Sequence, residues 1–159
     1  MPGFRKAGIA SIQTAAATGQ GLRPQITTGN LGHNAYITEI GISHNGAAND
    51  TSVPPSWELV RSSASGSGGD AASALQPLLT HIYTTFSTDY DNSVATAAGT
   101  EHILHHWYVP TVSGMIWVAA PGREIDVDSP AENHGYVGLH NEAALPASIS
   151  ANNYIIVEE

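Results

Sequence analysis

The sequence is poor in positive charge and has no cysteine, and both scarcities exclude classes of protein. Its 159 residues include five Lys and Arg against 14 Asp and Glu, which gives a formal net charge of −9 at pH 7. Proteins that bind nucleic acid use clustered cations to neutralise phosphates, so we expect no nucleic-acid partner. Because the chain contains no cysteine, a disulfide framework and a thiolate site are both excluded.

Long apolar runs are missing as well. No run approaches the ~20 apolar residues that a helix needs to cross a bilayer, and residues 1–6 lack the apolar core of a signal peptide. We therefore expect no membrane partner and a protein that is made and used in soluble form. Its length is that of a single domain with one core.

The main pattern that is present consists of short runs of β-branched and aromatic residues between Pro, Gly, Asn and Asp, which predicts antiparallel strands joined by turns. The clearest runs are residues 35–42, 56–61, 101–109, 114–122, 124–128, 135–139 and 153–159. With so many short strands and little helix signal, the sequence predicts an all-β sandwich or barrel. Only residues 71–79 favour a helical turn or two, after Asp70 as a possible N-cap.

Alternation within these runs predicts which side chains face the core. The first run predicts a strand with Tyr36, Ile40 and Ile42 on one face. In the second run, Trp57 and Leu59 fall on one face of the strand and Glu58 on the other. The tryptophans of three different strands, Trp57, Trp107 and Trp117, are expected to share one core, since rings of that size are seldom left in solvent.

Eight histidines raise the question of a metal site, and His102, His105 and His106 form the densest group. In a regular strand, His102 and His106 share a face and His105 points to the other. Four residues span roughly 13 Å of extended strand, too far for one ion with bonds of ~2 Å. His134 and His140 flank a strand as polar end residues. We therefore expect no metal ligand and no cofactor.

Catalytic patterns are equally weak. Asp126 and Asp128 alternate with apolar residues and are expected on the outer face of a strand; a polysaccharide hydrolase would need a further carboxylate ~5 to 10 Å away. A calcium site at Asp89 and Asp91 is a smaller alternative. Nucleophile elbows and phosphate-binding loops are absent from the sequence. We expect no catalytic residue and a protein that is not an enzyme.

Four segments carry a resemblance to a known family: residues 36–42, the Leu-Val-Arg of residues 59–61, the Trp strand and Pro-Gly turn of residues 117–122, and the final strand of residues 154–159. In this order they resemble the small jelly-roll virion proteins of tailed bacteriophages. The resemblance implies an antiparallel jelly-roll β-sandwich domain over residues 33–159, preceded by an extended N-terminal arm or edge strand over residues 1–32.

The function that the resemblance implies is that of a capsid decoration or cement protein, a homotrimer on the capsid surface of the virion that binds the major capsid protein and is made in the host cytoplasm. Candidate contacts are the apolar and basic residues of the arm and the aromatic residues of the middle segment: Phe4, Arg5, Lys6, Arg23, Tyr83, Phe86 and Tyr90. The alternative is a receptor- or carbohydrate-binding jelly roll of a fibre or tail, with Tyr83, Tyr90 and Tyr108 stacking on sugar rings.

Overall fold

The strands form two antiparallel sheets around a shared hydrophobic core in the computed structural model. The backbone is described for residues 6–14, 21–26, 35–45, 54–62, 70–71, 76–77, 84–88, 101–127, 136–142, 145 and 149–158, and the side chains for residues 35–45, 54–61, 102–127, 137–142, 145 and 149–158. The strands are β1 (Lys6–Thr14), β2 (Gly21–Ile26), β3 (Ala35–Asn45), β4 (Ser56–Ser62), β5 (Asp70–Ala71), β6 (Gln76–Pro77), β7 (Thr84–Thr88), β8 (Glu101–Tyr108), β9 (Gly114–Val118), β10 (Ile125–Val127), β11 (Tyr136–Asn141) and β12 (Ser150–Glu158). This confirms the predicted all-β, sandwich-like fold.

Each sheet combines strands from both ends of the chain. The first has the order β10-β3-β12-β1-β6, and β9 also pairs with β3; the second has the order β5-β7-β2-β11-β4-β8. Strand β3 is long enough to pair with β10 through residues 35–37 and with β9 through residues 39–43. In the part of the chain that the structure describes, no helix has the length and hydropathy that crossing a membrane requires.

The N-terminal segment contributes one strand to each sheet. Strand β1 pairs with β12 from Lys6 to Thr14, and β2 pairs with β11 and β7. The function of residues 1–32 as an arm stays a prediction. The short strands β5 and β6 include residues 71, 76 and 77 of the region where helical turns were expected, so that prediction is wrong for those residues.

The core lies between the sheets and is built mainly from branched aliphatic side chains. Full burial of one such side chain contributes about 1.5–3 kcal/mol. The buried cluster consists of Ala35, Ile37, Ile40, Ile42, Trp57, Leu59, Val109, Val127, Val137, Leu139, Leu145, Ala151, Ile155 and Val157. Trp57 and Leu59 are both 0% exposed, which confirms the predicted inner face of β4.

A β-bulge in β3 changes which residues face this core. The pairing of β3 with β12 shifts register at Thr38, whose carbonyl instead accepts a hydrogen bond of 2.9 Å from the Ala119 N–H. One extra residue reverses the alternation of the strand. The next side chain after Ile37 that faces the core is therefore that of Ile40, three positions later. The prediction that Tyr36 shares the inner face is therefore wrong, and its side chain is 36% exposed.

The predicted Pro-Gly turn joins β9 to β10. The Arg123 N–H donates to the Ala120 carbonyl at 2.8 Å, and Gly122 has a φ of 78°. Pro at the second turn position and a left-handed glycine at the third are the requirements of a type II turn. This turn is therefore specified by its own sequence.

Candidate protein–protein interface

Strands β8 and β9 lie at the outer edges of the two sheets, on the same side of the sandwich. Strand β8 is terminal in its sheet and β9 pairs with β3, and residues 109–113 connect them. The Val109 N–H donates to the Pro55 carbonyl at 2.9 Å, which fixes the start of that connection. Edge strands carry backbone groups that can pair with another chain, so they need explicit protection in a monomer.

The inward side chains of these edges form an aromatic cluster that closes the sandwich. The ring centroid of His105 lies 5.4 Å from that of Trp107 in a stacked arrangement and 5.0 Å from that of Trp117. The two tryptophan rings are 6.4 Å apart, within the range of favourable aromatic pairs. Both pack on the core that contains Trp57, which confirms the expectation of a shared tryptophan core.

The outward side chains of the same segment are apolar and exposed. Among the described side chains, the exposed large hydrophobic residues other than Tyr36 all belong to it. We call this set the β8–β9 strip: Ile103 at 59% exposure, Leu104 at 36%, Tyr108 at 63%, Val112 at 60%, Ile116 at 67% and Val118 at 62%. Ile103 and Tyr108 face outward from the second sheet, whereas Ile116 and Val118 face outward from the first, so the strip surrounds one edge of the sandwich. Exposed apolar side chains gathered at one edge indicate an interaction site.

The strip carries no fixed charge. Residues 102–122 contain no Asp, Glu, Lys or Arg, although the whole chain carries a net charge of −9. Within β9, residues 115–118 are apolar on both faces of the strand, a pattern of strands that are covered on both sides. Interface centres are likewise depleted in charge and enriched in aromatic residues and Met. The composition of the strip therefore resembles that of interface centres.

A shallow groove of about 550 Å³ runs beside the strip on the outer face of the first sheet. Its floor contains Gly41 and Gly114, and Ile116 and Tyr154 line it. The Tyr154 hydroxyl donates a 2.6 Å hydrogen bond to Glu39 Oε1. This bond, together with burial and the negative charge of Glu39, raises the pKa of Tyr154 to about 12.

A second group of polar side chains lies in a row across three strands of the other sheet. Register places His140 opposite Glu58, and Glu58 opposite His106. Glu58 Oε2 lies 3.4 Å from His140 Nε2, and His106 Nε2 lies 3.4 Å from Glu142 Oε2. Glu58 and His140 are buried, whereas Glu142 is exposed.

The histidines of β8 do not follow the predicted faces. The pairing of β8 with β4 shifts register at Leu104. As a result, the β4 residues that pair with His102 and with His105 are two positions apart. The two histidines therefore share a face, and His106 points to the other. The prediction that His102 and His106 share a face is wrong because the bulge adds one residue between them.

The predicted contact side chains lie outside the described residues: Phe4, Arg5, Lys6, Arg23, Tyr83, Phe86 and Tyr90. The backbones of Lys6, Arg23 and Phe86 belong to β1, β2 and β7. Asp89, Asp91, Asp128 and His134 also lie outside the described residues. Asp126 is exposed, as expected for an outer strand face. The chain matches no protein-family model, and no curated protein sequence matches it significantly.

Proposed function

We propose that this chain is a jelly-roll structural protein of a tailed-phage virion, a capsid decoration protein that binds the shell of the major capsid protein as a homotrimer. The observation that carries the proposal is the β8–β9 strip, an apolar and charge-free edge on an otherwise acidic chain. A protein that functions by binding another protein needs such a surface, whereas an enzyme needs reactive groups that converge in a pocket.

The strand pairing supports the jelly-roll part of the proposal. A jelly roll is a long antiparallel ribbon rolled into two sheets, so its strands pair in a nested order from the chain ends inward. Here β1 pairs with β12, β2 with β11, β3 with β9 and β10, and β4 with β8. The additional pairs β12–β3 and β11–β4 join these ribbons into sheets. Strands β5, β6 and β7 extend the far edges as an insertion between β4 and β8.

The strip suits contact between copies of this chain. Copies that each carry a charge of −9 repel one another at long range, and burying charged groups at their contact would add a desolvation cost. A surface free of Asp, Glu, Lys and Arg avoids that cost. In a trimer the strip of one copy must contact a different surface of the next copy, because only such a head-to-tail contact closes into a ring, with a rotation of one third of a turn between copies.

Trimerisation would strengthen attachment to the capsid. Three modest contacts held in one ring act at a high effective concentration, so each subunit needs only a small patch. The residues before β1, including Phe4 and Arg5, remain the proposed contacts with the major capsid protein.

The experiment that tests this function is a quantitative protein census of purified virions combined with an electron-microscopy map. We expect a copy number comparable to that of the major capsid protein and density at symmetry axes of the shell. A chain present in a few copies at the tail, or absent from particles, would refute the decoration role.

The second candidate is a carbohydrate- or receptor-binding module of a fibre or tail. Tyr108, 63% exposed, and the groove beside the Tyr154–Glu39 pair favour it, because sugars stack on aromatic rings and their hydroxyl groups donate hydrogen bonds to carboxylates. Glycan-array binding that Tyr108→Ala or Tyr154→Phe abolishes would support this function, and it predicts few copies per particle.

A further inference from the structure

Three side chains with metal-ligand chemistry converge on the outer side of the second sheet, away from the aromatic cluster. Glu58 is on β4, His106 on β8 and Glu142 directly follows β11. Their ligand atoms all lie within 4.8 Å of one another. The Glu142 N–H donates to the Ser56 carbonyl at 3.0 Å, so the backbone of this residue is held beside β4.

The spacing of His106 and Glu142 is compatible with two ligands of one ion. His106 Nε2 and Glu142 Oε2 are 3.4 Å apart. Ligands at about 2.0–2.1 Å from a tetrahedral zinc ion stand roughly 3.3–3.4 Å from one another. Glu142 is exposed, so its side chain has room to adjust its position around an ion.

The burial of Glu58 also calls for a positive partner. This carboxylate belongs to a residue that is 8% exposed, and a buried charge is unfavourable unless it is compensated. The carboxylate of Glu142 approaches the same point, so two acidic groups meet there. Glu58 already contacts His140, and a divalent cation between the two carboxylates offsets their mutual repulsion as well.

Neighbouring residues hold the ligands in place. His140 Nε2 lies 3.4 Å from Glu58 Oε2. Contacts of this kind, from a residue that does not itself bind the ion, orient metal ligands. The ring of Tyr108 lies 4.8 Å from that of His106 and restricts the imidazole. His140 and Tyr108 are thus positioning residues.

We propose that Glu58, His106 and Glu142 bind one zinc ion through one imidazole and two carboxylates. Three protein ligands leave one coordination position for water or for a partner's side chain. The ion would join β8 to the end of β11 across β4 and so reinforce the sheet next to the β8–β9 strip. Imidazole favours zinc over magnesium and calcium, which prefer oxygen ligands only.

Calorimetric titration of the metal-free full-length chain with zinc chloride tests the site. We expect one high-affinity zinc ion per chain, a higher melting temperature with zinc, and much weaker binding of magnesium chloride. His106→Asn and Glu142→Gln should each weaken zinc binding by at least about tenfold. Both residues are exposed, so both variants should fold, which circular dichroism checks.

His102→Asn is the matched control, since His102 is an exposed histidine of the same strand on the other face. It should leave the zinc affinity within about twofold of the parent. The proposal is overturned if the parent binds no zinc, if the two ligand variants bind it as tightly as the parent, or if His102→Asn weakens binding as much as they do.

Discussion

The indole N–H of Trp57 donates a 3.0 Å hydrogen bond to Nε2 of His44 inside the protein, and this bond joins the two sheets. Because an indole can only donate, Nε2 of His44 must be the bare nitrogen. The proton is therefore on Nδ1, which lies 3.3 Å from the carbonyl oxygen of Pro110 and donates to it. His44 is thus held as one neutral tautomer.

The first prediction concerns acid stability. Burial lowers the pKa of His44 below its ordinary value of 6.5, and the hydrogen bond to the Pro110 carbonyl only partly opposes this. The unfolded chain binds a proton near the ordinary value while the folded chain does not. The stability from neutral His44 is therefore complete above pH 6.5 and is lost as the pH falls below it.

Comparison with His44→Gln isolates this effect, since an amide oxygen can accept from Trp57 but does not titrate. Urea unfolding of both proteins with a chelator, at about pH 8 and about pH 5.5, should show the parent losing stability relative to the variant at the lower pH. A difference in free energy of unfolding that stays constant between these conditions contradicts the prediction.

The second prediction ranks the tryptophans. Trp57→Ala should destabilise by about 3–5 kcal/mol from the cavity alone, with a further cost because His44 loses its donor. Trp117→Ala should cost less, since the ring of Trp117 is only partly buried. Urea unfolding followed by circular dichroism measures both. Equal losses in the two variants would show that the position in the core does not decide the cost.

The third prediction tests the close approach of Tyr154 to Gly41, its partner across β3 and β12. A Cβ at Gly41 would overlap the Tyr154 ring, so Gly41→Ala must displace the ring and weaken its hydrogen bond to Glu39. We expect a loss of about 1–3 kcal/mol in free energy of unfolding. In a Tyr154→Ala background the same change should cost almost nothing; an equal cost in both backgrounds refutes the steric explanation.

Sequence alternation predicts the faces of strands that are regular and fails where a bulge intervenes. In β4 it gives the correct inner face for Trp57 and Leu59. In β3 and β8 the extra residues are Thr38 and Leu104, and alternation counted across them reverses. A bulge depends on pairing between strands far apart in the chain, so a single run of residues does not reveal it.

The row of polar side chains across β11, β4 and β8 could not be predicted from the sequence for the same reason. Glu58, His106 and Glu142 belong to different parts of the chain, and only the register of three strands brings them together. The separation of the histidines within β8 predicts no metal site, because it takes no account of side chains on neighbouring strands. The signal for the β8–β9 strip, in contrast, is present in the sequence, because residues 102–122 lack Asp, Glu, Lys and Arg.

The last prediction addresses the strip as a contact between copies. Ile116 is 67% exposed, so Ile116→Lys should leave the free energy of unfolding of a single chain nearly unchanged. A charge buried at the proposed contact should raise the dissociation constant of the assembly at least about tenfold, or 1.4 kcal/mol. Tyr36→Lys makes the same charge change on an exposed aromatic outside the strip and should not alter assembly. Sedimentation over a range of concentrations measures both variants; identical association for Ile116→Lys and the parent would show that copies do not meet through this edge.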